Sequence, residues 1–365
     1  MRVAMLGYSG LTGASGGFFY DARVAQALRE AGDVVDDVAL PWLGFGYARG
    51  LAGNVLPLPD LHRRSSSSAI DGYDIVMQDE VVHPSMCWRN RRIRAQGLPV
   101  VSIVHNLTSV APDLRHRGTA RTVERSYLRT LSGIITVCES TREDIAALDV
   151  HDVPVLVARA GRDHVASTIS SEQVEIRARE STPLRVLFVG TVSPHKGLHR
   201  LVEALAALPS GTASLDVAGS VTQSPAYATA VRVEADRHRH LNVTWHGELD
   251  QQRLHHLYRS AHVCALPSDR EAYPLAALDA MAFGLPVLLP TAGGASEMIH
   301  DGEEGQLLDP QKPADWAAAI VALAHDRDQV VRQGRAALAR HAAHGTWTQT
   351  GQQIRTFLAE LARTE

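Results

Sequence analysis

Apolar residues along this chain fall in short runs, separated by stretches whose apolar positions recur at helical spacing. Short bounded runs rich in Val, Ile and Leu read as buried strands, and the periodic stretches as amphipathic helices. In the first half the pattern predicts strands at Arg2–Gly7, Val34–Leu40, Asp74–Gln78, Pro99–His105, Gly133–Cys138 and Pro154–Ala158. Helices are predicted between them, among others at Tyr20–Ala31, Thr119–Leu131 and Ser140–Leu148. The segment Arg162 to Pro183 is polar and carries no strand pattern, and the alternation restarts after it. Strands follow at Leu184–Val189, Ser214–Gly219, Asn242–His246, His262–Leu266, Pro286–Pro290 and Gly305–Leu308. Helices follow around His199–Leu208, Ala226–His238, Gln251–Ser260, Pro274–Phe283 and Ala314–His325. Strands alternating with helices pair in parallel through crossovers, so the chain reads as α/β. Two units in tandem are expected, 1–165 and 184–343, with a final helix from Trp347 to Leu361 inside a 344–365 tail. The Ser65–Ser68 run has no periodicity and reads as an exposed loop.

Length agrees with this reading, since 365 residues give each unit room for its own core. A net charge of −4 argues against a dedicated nucleic-acid partner. Cys87, Cys138 and Cys264 are far apart and form no Cys-x-x-Cys pair, which fits buried thiols in a reducing compartment. The N-terminus enters a strand at once, without the apolar segment of a signal peptide. No run approaches the ~20 apolar residues of a membrane span. A cytoplasmic protein is expected, with peripheral contact at the inner membrane face as a further option. Of 36 basic residues only Lys196 and Lys312 are lysines. Against that arginine bias, a lysine marks a place where a compact ammonium serves better than a guanidinium fork.

The densest chemistry lies in Ser268-Asp269-Arg270-Glu271-Ala272-Tyr273-Pro274-Leu275, which leads into a helix carrying Asp279. A helix N-terminus presents unpaired N–H groups and suits an anion. Glu271 beside it would repel phosphate and so suits a neutral polyol. Phosphate on the amides with hydroxyls on the acids describes a sugar nucleotide. A second strand, turn and helix start lies in Val186–Gly197, where Gly190 frees the strand end and Lys196 supplies a point charge for a diphosphate.

The first of these stretches resembles the retaining glycosyltransferases of family 4, whose signature is Glu, seven residues, then Glu, followed by Ala-Met-Ala and Gly-x-Pro-Val. Here Glu271 is followed by Asp279, then Ala280-Met281-Ala282 and Gly284-Leu285-Pro286-Val287. The second acid is one methylene short. The family also places arginine one residue after the loop glycine, where this chain has Thr191, with Lys196 kept. Either His195, if protonated, or the Thr191 hydroxyl would make up the difference. The resemblance implies a GT-B architecture, two facing Rossmann-like domains with a central cleft, in which the last helix crosses back to the first domain. It implies that Lys196 and the helix-start amides in the stretch Ala272, Tyr273, Pro274 and Leu275, where the proline shapes the turn and carries no N–H, hold the diphosphate side of the donor. Glu271 would take the sugar C3 and C4 hydroxyls, Asp279 the ribose, and the turn at Gly247 and Leu249 the base. In the first domain it gives Gly16 and Gly17 a donor-facing loop, and His105 the sugar C6 hydroxyl. Gly293-Gly294-Ala295-Ser296-Glu297 matches the family's Gly-Gly-x-x-Glu loop.

Asp79 and Glu80 end a strand on the expected acceptor side, where solvated acids are the simpler reading. Between His83 and Arg129 nine arginines face two acids, and with Trp88, Ile93 and Tyr127 they could outline a surface for an anionic lipid or acceptor, although solvated helix faces in an arginine-rich protein are the simpler reading. Asp326-Arg327-Asp328 has the spacing of a metal-binding acid pair but ends a C-terminal helix and is set aside. The histidine pairs lack zinc spacing. The expected activity is metal-independent, retaining transfer of a sugar from a nucleoside diphosphate, UDP first and GDP next, to a hydroxyl acceptor. That acceptor is a saccharide, lipid or small natural product, and no cofactor beyond the donor is expected. A GT-B epimerase, a disaccharide phosphorylase and a non-catalytic sugar-nucleotide binder share these features.

Overall fold

A computed structural model describes residues 1–8, 16–40, 47–55, 72–111, 117–166, 169–180 and 183–364. They form two compact units, Met1–Gly161 with Gly345–Glu365, and Arg162–His344. The serine run and Gly13–Ser15 lie outside the described residues.

The first unit opens with β1 (Arg2–Gly7), α1 (Gly16–Glu30), β2 (Val34–Ala39), α2 (Tyr47–Ala52) and β3 (Ile75–Asp79). It continues with α3 (His83–Met86), α4 (Arg89–Arg94), β4 (Val100–Val104), α5 (Arg117–Leu128), β5 (Gly133–Thr136), α6 (Glu139–Ala146) and β6 (Val155–Val157). All strands pair in parallel, in the order β2-β1-β3-β4-β5-β6. β3, β4 and β5 are buried at every position, as strands covered on both faces must be, which is why they read as unbroken apolar runs. Gly16 and Gly17 fall in the first turn of α1 rather than in a loop.

The second unit opens with α7 (Ser171–Ala178), which the polar composition of Arg162–Pro183 hid. Its signal was a capping box: the Ser170 hydroxyl accepts from Gln173 N–H while the Gln173 side chain accepts from Ser170 N–H. Then come β7 (Leu184–Val189), α8 (Leu198–Ala206), β8 (Ala213–Ala218), α9 (Pro225–Arg237), β9 (Asn242–Gly247), α10 (Gln251–Ser260) and β10 (Val263–Ala265). α11 (Leu275–Ala282), β11 (Val287–Pro290), α12 (Ala295–Met298), β12 (Gly305–Leu308), α13 (Pro313–His325) and α14 (Arg327–Ala343) complete it. Asp326 is the N-cap of α14, its carboxylate accepting from Gln329 N–H, so the acid pair at 326 and 328 starts a helix.

The second sheet is again parallel, in the order β12-β11-β10-β7-β8-β9. Numbered within the unit and read from β9, that is 3-2-1-4-5-6, the order of a doubly wound dinucleotide-binding sheet. The last helix, α15 (Trp347–Thr364), groups with the first unit and packs on α1. Thr350 there donates to the carbonyl of Arg159 at 2.7 Å. No helix of the described residues is long and apolar enough to cross a membrane.

Candidate active site

In an open parallel sheet, ligands gather beyond the carboxyl ends of the strands, where the order reverses. In the second sheet the reversal falls between β7 and β10. The loops leaving these two strands carry Lys196 and Glu271, so topology alone brings the two sequence motifs together.

Their contact is direct: Lys196 Nζ donates to Glu271 Oε1 at 2.7 Å, and Ser268 Oγ donates to the same oxygen at 2.5 Å. The lysine is 29% exposed and the glutamate 12%. A half-buried pair of this kind neutralises both charges while leaving the ammonium open to a stronger anion. The two loops are also zipped together through the backbone. Asp269 N–H donates to His195 O at 2.8 Å, and Arg200 bridges to Asp269 Oδ1 at 2.5 Å and to Pro267 O at 3.3 Å. Gly197 turns at φ +68°, and a Cβ there would lie 2.0 Å from the carbonyl oxygen of Pro267. Gly293, at φ +89°, stands in the same relation to the carbonyl oxygen of Glu271, again at 2.0 Å. Gly294 N–H then donates to that carbonyl at 2.8 Å. The Gly-Gly loop thus serves to let β11's exit run against the acid loop.

Gly190 directly follows β7, its N–H on Ala218 O at 2.9 Å, and Thr191 comes next in the turn. His195 does not supply the missing positive charge in this structure. Burial first, and Lys196 second, lower its pKa, so it is neutral at neutral pH. Ala272, Tyr273 and Pro274 lead into the positive end of α11, with Leu275 its first residue. The Tyr273 ring stacks on His344, with centroids 5.9 Å apart and the hydroxyl 3.2 Å from Nε2. Asp279 sits in the second turn of α11, where His164 Nε2 donates to its Oδ1 at 2.7 Å. Sequence reasoning passed over His164 because one histidine in a polar segment carries no pattern. Gly247 and Leu249 lie at the end of edge strand β9, with β8 between them and β7. Gly247 O accepts from Gly219 N–H at 2.8 Å.

In the first unit the order reverses between β1 and β3, and the exits of β3 and β4 carry Asp79, Glu80 and His105. His105 Nε2 donates to Asp21 Oδ1, from α1, at 3.0 Å, and His105 N–H donates to Glu80 Oε2 at 3.2 Å. Tyr20 meets the imidazole edge-on at 5.4 Å, and a Cβ on Gly17 would lie 3.1 Å from its Cδ2. Gly17 therefore makes room for the imidazole. Burial disfavours charge on His105, but Glu80, Asp21 and Asp79 outweigh it and raise its pKa to about 10. Asp21 is fully buried, and burial raises its carboxyl to about 6 against the pull of His105. Glu80 is pushed well up by burial. These acids are not solvated side chains at a strand end. They are drawn in around one cation, and Asp79 is spent partly on capping, accepting from Val81 N–H at 3.0 Å.

The surface considered around Trp88, Ile93 and Tyr127 does not form as one patch. Ile93 and Tyr127 are core residues, and Trp88 alone of the three is exposed, at 53%. The described residues that come near a metal-ligating set are His300, Glu303 and Glu304, of which the first two are exposed.

A family model described as glycosyl transferases group 1 matches residues 170–340, the segment that builds the second-unit site. A D-inositol 3-phosphate glycosyltransferase of Corynebacterium efficiens is 26% identical over 94% of this chain and 83% of its own length. Among solved structures, sucrose-phosphate synthase from Thermosynechococcus elongatus superposes with a TM-score of 0.79 at 20% identity, covering 100% of both chains. HepE of Anabaena, crystallised with UDP and glucose, gives 0.74 at 18% identity, over 98% of this chain and 99% of its own. The two parallel sheets, the end-to-end likeness to GT-B structures and the group 1 match over the second unit identify the chain as a glycosyltransferase of the GT-B fold.

Proposed function

We propose that the chain is a retaining, metal-independent glycosyltransferase that moves a sugar from a nucleoside diphosphate, UDP first and GDP next, to a hydroxyl acceptor. The observation that carries this reading is the pairing of Lys196 with Glu271 at the switch point of the second sheet, beside the N-terminus of α11. An arriving diphosphate competes for the ammonium. That exchange leaves Glu271 free to accept hydrogen bonds from the C3 and C4 hydroxyls of the sugar. In the transition state Lys196 and the amides that open α11 take up the negative charge growing on the departing diphosphate, the role a metal plays elsewhere. Asp279 serves the ribose, and the turn at Gly247 and Leu249 the base. Within the first unit, His105, held charged by its carboxylates, is a hydrogen-bond donor suited to a hydroxyl. The departing diphosphate takes the acceptor proton on the same face, which preserves the anomeric configuration. The names of the relatives agree with this chemistry: one transfers to an inositol phosphate and another was crystallised with UDP and glucose.

Thermal unfolding with UDP, GDP, dTDP and ADP tests the reading. A ligand at one hundred times its Kd stabilises by about 2.7 kcal/mol, so a selective rise in Tm names the base. Lys196→Ala should abolish that rise. A chain stabilised by none of the four, or a Lys196→Ala variant stabilised as strongly as the parent, removes the diphosphate from this site. NMR of the product from an α-linked donor should show the α-anomer.

A further inference from the structure

Resting on the donor site proposed above, the geometry points to His164 as a positioning residue. We propose that the group that reads the ribose is a His164–Asp279 pair, with the histidine making up for a carboxylate one methylene too short.

Asp279 stands where the signature described above has glutamate, and its carboxylate ends about 1.5 Å nearer the helix axis for want of one carbon–carbon bond. A short acid on a helix has two costs at a vicinal diol. It reaches less far, and its carboxylate plane rotates freely, so two oxygens are seldom aimed at two hydroxyls together. The structure removes the second cost. His164 Nε2–H donates to Oδ1 at 2.7 Å, a charge-assisted bond at the short end of its range, and the two side chains are only 11% and 18% exposed. Among the described residues, His164 is the hydrogen-bond partner of Asp279. Two other histidines lie near enough to feel the carboxylate without touching it. Burial lowers the pKa of both, His341 to about 4, so both are neutral and exert no pull on it at neutral pH. His164 reaches Asp279 from the segment that opens the second unit, far away in sequence, and Gln251 at the start of α10 donates to its carbonyl at 3.4 Å. The imidazole is thus placed by backbone on one side and by the carboxylate on the other. With Oδ1 fixed, Oδ2 and the remaining lone pair of Oδ1 keep one orientation, the one a 2′,3′-diol can bridge. The ribose is then recognised as a diol, and a 2′-deoxyribose forfeits half the contact.

Calorimetric titration of the full chain with UDP and GDP, each against its 2′-deoxy form, measures this directly. The parent should prefer the ribonucleotide by roughly tenfold, the value of one hydrogen bond to a charged group. His164→Ala should bring that ratio near one, while His164→Gln, which keeps an N–H donor, should hold most of it. In an Asp279→Glu background, where the longer acid reaches the diol unaided, His164→Ala should change the ratio by less than about twofold. A fold defect would lower both affinities together and leave their ratio intact. A ratio unmoved by His164→Ala, or moved equally in both backgrounds, overturns the inference and leaves the donor site standing. A parent that binds neither nucleotide overturns both.

Discussion

In the second unit one lysine meets one glutamate at the carboxyl edge of the sheet, half in water. In the first, one imidazole faces three acids, Asp21, Asp79 and Glu80, with Asp21 sealed from solvent. Both clusters stand at strand ends where a parallel sheet reverses its order, and both pair a cation with carboxylate. They differ in how easily the pairing is exchanged. On the proposed function, Lys196 would lose one partner when an anion arrives and gain a better one. His105 cannot be separated from its acids without stranding buried charge, which is far more costly. A one-to-one pair near solvent is suited to handing a charge over, whereas an excess of buried acid is suited to keeping one in place.

The comparison breaks most violently at the loops that hold the second site. Gly293→Ala sets a Cβ 2.0 Å from a backbone oxygen at positive φ, and should cost more than about 4 kcal/mol, seen as a large fall in Tm or loss of soluble protein. Next comes the exchangeable pair. Lys196→Ala or Glu271→Gln should fold normally and lose roughly 10²–10³ in kcat, as when one preorganised charge-stabilising group is removed. Retention of parental turnover would separate the pair from the chemistry.

The fixed cluster responds to pH instead. His105 has its pKa raised to about 10 from about 6.5, so the folded state binds its proton more tightly. The stability this gives is complete below about pH 6.5 and is lost as pH rises through about 10. Tm should therefore fall more steeply between pH 7 and 10 in the parent than in His105→Gln. Asp21→Asn removes one of the acids that hold the charge, so that fall should end at lower pH and be smaller. Identical slopes in all three proteins would mean that His105 carries no extra proton. The smallest effect is expected away from both clusters. Ser170→Ala removes the cap of α7 and should cost about 1 kcal/mol in denaturant titration, with turnover unchanged.

The two clusters also differ in how much of them sequence reveals. Lys196 and Glu271 are legible because loops after buried strands punctuate the pattern, and the glycines that let those loops touch stand in fixed order around them. The strands were legible for the same reason, with Arg2–Gly7, Leu184–Val189 and Gly305–Leu308 read to the residue. Asp21 was not legible. It lies inside α1 on the buried face with Tyr20, Val24, Ala25 and Leu28, and an acid in a helix reads as solvated until a distant histidine is brought beside it. His164 is hidden for a related reason, since its partner is far off along the chain. α14 was missed because arginines and alanines blur its apolar stripe, although Asp326 marked its start. Local signals come through and pairings across the fold do not.

The Lys196–Glu271 contact has a further consequence for the rate at which a donor arrives. A bare lysine in a cleft projects its field well beyond the surface and draws in every anion, including the phosphate and sulfate of the surrounding solution. A lysine already capped by its own glutamate projects almost none. Association with the donor should accordingly depend little on ionic strength, and inorganic anions should compete weakly. On the proposed function, a ligand that brings hydroxyls for the glutamate along with phosphate for the lysine would open the pair at least cost, so the site would favour the whole donor over a bare anion by asking for two chemistries at once.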